Sequence, residues 1–130
     1  MNNNIKELLE FADEDLKAAK ILINEKLFRL SAFHSQQAVE KYLKVFLLYN
    51  LGAYPFIHSI SDLLEECIKL NKDFEYLEKI KIKKLNKYYI FTRYFKISNV
   101  TEEDAKEAID IAGKVREFIL NKLNIQQPSI

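Results

Sequence analysis

Glycine and proline punctuate most chains, and here they are almost missing: Gly52, Gly113, Pro55 and Pro128 are the whole set in 130 residues. Turns that need positive φ are therefore few, and so are breaks in helices, so the elements must be long. Gly52 and Pro55 mark one loop, Leu51 to His58, and Gly52 stands where a helix C-cap belongs.

Hydrophobic periodicity fills the rest. Ile5, Leu8, Ala12, Leu16, Ala19 and Ile23 recur every three or four residues, which predicts a helix from about Asn4 to Lys26 with Lys6, Glu10, Asp13 and Lys17 facing away. A second helix is expected from Phe28 to Asn50. Its latter half, Tyr42 to Tyr49, is apolar nearly all round, as in a helix buried on every side or one that meets a second subunit. Ser59 followed by Asp62 is a capping pattern for a third helix to Leu70, burying Ile60, Leu63, Leu64, Cys67 and Ile68. A fourth is expected from Phe74 to Tyr89. The alternation in Ile80–Leu85 suggests a strand, but no partner strand is visible. Thr101 and Asp104 form a capping-box pattern for a fifth, with the stripe Ala105, Ala108, Ile109, Ala112, Val115, Ile119 and Leu123. The expected fold is all-α, an antiparallel bundle of about five helices: one domain over 1–125 and a flexible tail over 126–130.

A chain of this length buries roughly two-thirds of its unfolded surface, so neither metal nor disulfide is needed to fold it. Cys67 is the only cysteine. It excludes an intrachain disulfide, fits a reducing compartment and reads as an apolar filler. The start of the chain lacks a cationic stretch followed by an apolar run, and the longest apolar run contains Lys44. Neither a secretory signal nor a membrane span is expected, and the reading is cytoplasmic.

Two histidines and one cysteine at unrelated spacings cannot assemble an ordinary metal centre, and no phosphate-binding glycine loop or nucleophile elbow is present. No catalytic residue, metal ligand or cofactor is assigned. Arg29 and His34 have a ribonuclease-like spacing, but five residues along a helix turn the direction by about 140°, so they do not share a face. Gln37, Lys41 and Lys44 stand at i, i+4 and i+7, either as a polar stripe between helices or as a row for phosphate or carboxylate.

The net charge of +1 hides segregation: from Lys79 to Lys96 there are seven basic residues and no acidic one. That makes a local positive field on a near-neutral protein. Within it, Tyr88, Tyr89, Phe91, Tyr94 and Phe95 interleave with Arg93 and Lys96. Aromatic faces stack on bases and arginine forks onto phosphate, so the segment suits single-stranded nucleic acid or nucleotide. Aromatic cover for the open end of the bundle is the competing reading.

Three stretches carry a resemblance: Phe33-His34-Ser35-Gln36-Gln37-Ala38-Val39-Glu40-Lys41-Tyr42-Leu43-Lys44, then His58-Ser59-Ile60-Ser61-Asp62-Leu63-Leu64, then Thr92-Arg93-Tyr94. In this order, before a closing amphipathic helix, the sequence resembles the HEPN domain family (higher eukaryotes and prokaryotes nucleotide-binding), in its small stand-alone prokaryotic form. The resemblance implies an antiparallel helical bundle that commonly forms a homodimer. Many relatives are encoded beside a small nucleotidyltransferase and act with it, some as toxin–antitoxin pairs. Others are ribonucleases using an arginine and a histidine late in the chain. Here Arg93-Tyr94-Phe95-Lys96 lacks the proline and acid of the family element, and no histidine follows Arg93.

The combined expectation is a dimeric, non-catalytic or weakly active module that binds nucleotide or RNA and acts with a nucleotidyltransferase partner. Arg93 and Lys96 would meet phosphate and Tyr94 would stack, with Lys41, Lys44 and His58 as further contacts. Two alternatives stay open: a metal-independent ribonuclease using His34 or His58 with Arg93, and an adaptor that binds only protein.

Overall fold

A computed structural model describes residues 2–89, 100–125 and 130. Among these it contains α1 (Asn3–Asn24), α2 (Phe28–Leu51), α3 (Ile60–Leu70), α4 (Glu75–Lys79) and α5 (Glu102–Lys122), with 3-10 helices at Lys72–Phe74 and Ile82–Tyr88 and no strand. The fold is all-α.

The helix ends follow local chemistry. The Asn2 side chain accepts from the Ile5 amide at 2.9 Å and caps α1. Ser59 accepts from Asp62 at the start of α3. Thr101 and Asp104 form the reciprocal capping box of α5. Gly52 closes α2 at φ 77°, where any other residue would be strained.

α2 is the axis. Tyr42 to Leu47 are all buried, because α1 and α5 pack on one side while α3 and the Ile82–Tyr88 helix pack on the other. α1 runs antiparallel to it, so Ala19 faces Ser31 and Asp15 faces Lys41. Phe74 anchors the far side against Phe46 and Phe118, and Cys67 is buried with its thiol pushed up to about 12 by burial. It is a core residue, as read from the sequence.

Two expectations need correction. The single helix from Phe74 to Tyr89 is broken into α4 and a 3-10 helix by Lys81, at φ 65°. Ile82, Leu85 and Tyr88 are the buried residues there. Their spacing of three suits a 3-10 helix, in which side chains three apart stack on one face. Asp13 does not face away: its carboxylate accepts from the Tyr42 hydroxyl at 2.5 Å and from Arg116 Nε at 2.9 Å. One acid thus joins α1, α2 and α5 around the buried Arg116.

Of the expected tail, residues 126–129 lie outside the described residues; the Ile130 carbonyl accepts from Lys20 Nζ.

Candidate functional site

α2 carries ionisable side chains toward both of its flanks. Toward α1, His34 and Lys41 meet Asp15, at 2.8 and 2.5 Å. Burial raises the Asp15 pKa, but the hydrogen bonds and charges of His34 and Lys41 outweigh it, and the net shift is downward. Arg29 lies on the same helix but is exposed. The two residues of the ribonuclease-like spacing are not brought together by any described contact.

Toward α3 lies the second centre. Gln36, Glu40 and Lys44, at i, i+4 and i+8, are all buried. Lys44 Nζ donates to Glu40 Oε2 at 3.0 Å and stands 5.3 Å from the centre of the Tyr54 ring. His58, from the loop before α3, places Nδ1 3.2 Å from the same oxygen. An ionised carboxylate only accepts, so Nδ1 is the donor. The His58 ring is half-exposed and lies against Tyr89, with centroids 5.4 Å apart at 33°.

Glu40 Oε1 and Gln36 Nε2 are buried without a hydrogen-bond partner among the described residues. A buried polar atom left without any partner costs about 1–3 kcal/mol.

A positive ridge adjoins it. Asn86 accepts from the Ile60 amide at 3.0 Å and donates to Ser61 Oγ at 2.7 Å, fastening the Ile82–Tyr88 helix to the start of α3. Lys79, Lys81, Lys83, Lys84 and Lys87 are all exposed along this stretch. Lys84 reaches Glu107, and Lys83 lies 4.0 Å from Glu78. Pairs this exposed are worth little and leave the lysines available to an anion.

The structure therefore joins Lys44 and His58 through Glu40, and separates both from Lys41, which belongs to Asp15. The expected row Gln37–Lys41–Lys44 does not exist as one surface. Arg93, Tyr94 and Lys96 lie outside the described residues. Glu40 and Gln36 have no marked role in the sequence beyond their place in the Gln36–Lys44 stretch. The i, i+4 pair of Glu40 with Lys44 was the available signal.

Among the described residues, no cluster of three or more histidine, cysteine or acidic side chains suits a metal ion, and no helix is long and apolar enough to cross a membrane.

A helical bundle built on one buried axis, with a polar centre where that axis meets the third helix, is the architecture to be placed among known proteins. The chain belongs to the HEPN domain family, whose model matches residues 5–123. It is 29% identical over 135 residues to a protein of Methanocaldococcus jannaschii named "Putative toxin MJ1304", covering 89% of this chain and 88% of that one. It also resembles the crystal structure of ST0689, an archaeal HEPN homologue, with a TM-score of 0.73 and 26% identity, covering 95% of this chain and 99% of that one.

Proposed function

We propose that this protein is a toxin-like HEPN module that binds nucleotide or RNA beside His58 and acts, as a homodimer, with a small nucleotidyltransferase. The observation that carries the binding reading is the junction at Asn86. There an exposed lysine ridge is fastened beside a carboxylate-oriented histidine that lies against a tyrosine. The ridge supplies the positive field, and the His58–Tyr89 surface supplies a ring face for a base. Lys44 is buried and paired with Glu40, so its role is to hold the centre rather than to touch phosphate. Arg93, Tyr94 and Lys96 follow Tyr89 in sequence and complete the proposed site. The toxin-like part rests on the likeness to the M. jannaschii protein and its name. Dimerisation and the nucleotidyltransferase come from the family resemblance.

The test is titration of a fluorescent single-stranded RNA and of labelled ATP into the protein at two salt concentrations. Binding should weaken as salt rises. It should fall sharply in Lys83→Glu/Lys87→Glu and in Arg93→Ala, both with unchanged circular dichroism. Full affinity in those variants would reject the site.

A second reading is favoured by one observation: His34 and His58 each set Nδ1 against a carboxylate, the pairing that orients an imidazole for general acid or base work. As a metal-independent ribonuclease, the protein would cleave RNA in EDTA, and His34→Ala/His58→Ala would abolish it. Cleavage that survives in the double variant does not come from these residues.

A further inference from the structure

A groove between α1 and α2 lies apart from the lysine ridge and the His58–Tyr89 surface, and shares Tyr54, whose ring Lys44 approaches, with the centre above. The antiparallel packing sets Leu8 and Phe11 of α1 against Leu48 of α2. Tyr54, from the loop after α2, closes the end, and Asn4 and Glu7 complete the wall. The cavity holds about 260 Å³, and its lining mixes the apolar Leu8, Phe11 and Leu48 with the polar Asn4 and Glu7. Phe11 is 46% exposed, and Phe56, two residues beyond Tyr54, is 97% exposed. Large apolar side chains in the open, beside a cavity and among polar groups, mark an interaction surface.

The border of this groove is acidic. Glu7, Phe11 and Glu14 fall at i, i+4 and i+7, so two exposed carboxylates flank the exposed ring on one face of α1. Neither takes part in an ion pair among the described residues. Of the α2 lysines on hand, Lys41 is engaged by Asp15 and Lys44 by Glu40. The negative field along this face is therefore left for something outside the chain.

We propose that this groove docks a basic amphipathic helix of a different protein. One large apolar side chain would enter the cavity between Phe11 and Leu48, and lysine or arginine would meet Glu7 and Glu14. The proposal rests on the reading that the module acts with a protein partner, and it adds the surface and the chemistry. RNA is disfavoured here because its phosphates would meet carboxylates. A second copy using the same face is disfavoured because like charges would oppose one another across the contact.

The experiment uses the full chain, isotope-labelled, and two synthetic amphipathic helical peptides with the same leucine stripe. One has lysines on its flanks and the other has glutamates. The lysine peptide should bind and shift the amides of Leu8, Phe11, Leu48 and Tyr54, with the glutamate peptide about tenfold weaker or more. Glu7→Lys/Glu14→Lys should reverse that preference. Phe11→Ala should weaken the lysine peptide while leaving RNA affinity unchanged, which separates this groove from the His58 site.

No binding of the lysine peptide, indifference to the charge reversal, or shifts mapping elsewhere would overturn the proposal. So would conversion of a dimer to a monomer by Phe11→Ala in sedimentation, which would make this face a contact between copies. If RNA binding failed in every variant and the peptide pattern held, the groove would stand and the nucleic-acid reading would fall.

Discussion

On the α1 flank of α2, Asp13 accepts from Tyr42 and Arg116, and Asp15 accepts from His34 and Lys41. On the α3 flank, Glu40 receives Lys44 and His58 on one oxygen; its other oxygen and Gln36 Nε2 are buried with no partner among the described residues, while Gln36 Oε1 accepts from Gln37. Both sets include buried ionisable groups in the same helix, yet one is closed and the other is left incomplete. A closed set fastens helices together. An incomplete one, opening to solvent through His58, keeps capacity for something the fold alone does not use. Charge in a core is thus not one kind of feature: each of these carboxylates receives two donors, and what sets Glu40 apart is a second oxygen that is buried with no partner among the described residues.

The sharpest way to test this contrast is to remove a member of the closed set. Asp13→Ala leaves the buried Arg116 and Tyr42 without that acceptor and should cost about 3 kcal/mol or more, read as a lower urea midpoint. The matching change on the open side is Glu40→Gln/Lys44→Met, which removes both charges together. It should keep stability within about 1 kcal/mol while releasing His58, so RNA affinity falls and the urea midpoint barely moves. Equal losses of stability in the two variants would erase the distinction.

His58→Ala addresses the open centre alone. Loss of a ring that meets a base should reduce RNA affinity by about 1–3 kcal/mol, with little change in thermal stability because the ring is half-exposed.

Acid provides a finer probe. The Asp15 pKa is depressed in the fold, so its contribution is fully present above the unfolded value of about 4 and is lost as pH falls through the lower folded value. Denaturation followed from pH 6 to pH 3 should show stability falling at the acid end. Asp15→Asn should flatten that fall while leaving the His58 centre and its RNA binding unchanged near neutrality.

The smallest effect is expected away from both centres. A Cβ added at Gly113 would meet nothing within 4 Å. Gly113→Ala should therefore stabilise α5 by about 0.5–1 kcal/mol. A loss instead would indicate that something outside the chain approaches there closely.

The helices and their caps were legible because they depend on neighbours in sequence. Gly52 at the end of α2, Ser59 before α3 and the Thr101–Asp104 box all stand where the residues pointed. The stretch after Phe74 reads in line as one helix, since a stripe with a spacing of three fits a 3-10 helix as well as an α-helix and the left-handed Lys81 has no sequence marker. Asp13 was read as solvent-facing because its partners, Tyr42 and Arg116, lie 29 and 103 residues away.

By itself, the sequence determined that this chain is an all-helical bundle whose second helix is apolar nearly all round over Tyr42 to Tyr49, and that its family is HEPN. Periodicity, capping and the scarcity of glycine and proline act over a few residues, so they can be read in line. Only the tertiary structure decided which charges share a carboxylate. It gave Lys41 to Asp15 and Lys44 to Glu40, although the two lysines are three residues apart. The direction in which a side chain leaves a central helix has no meaning until the helices that flank it are in place.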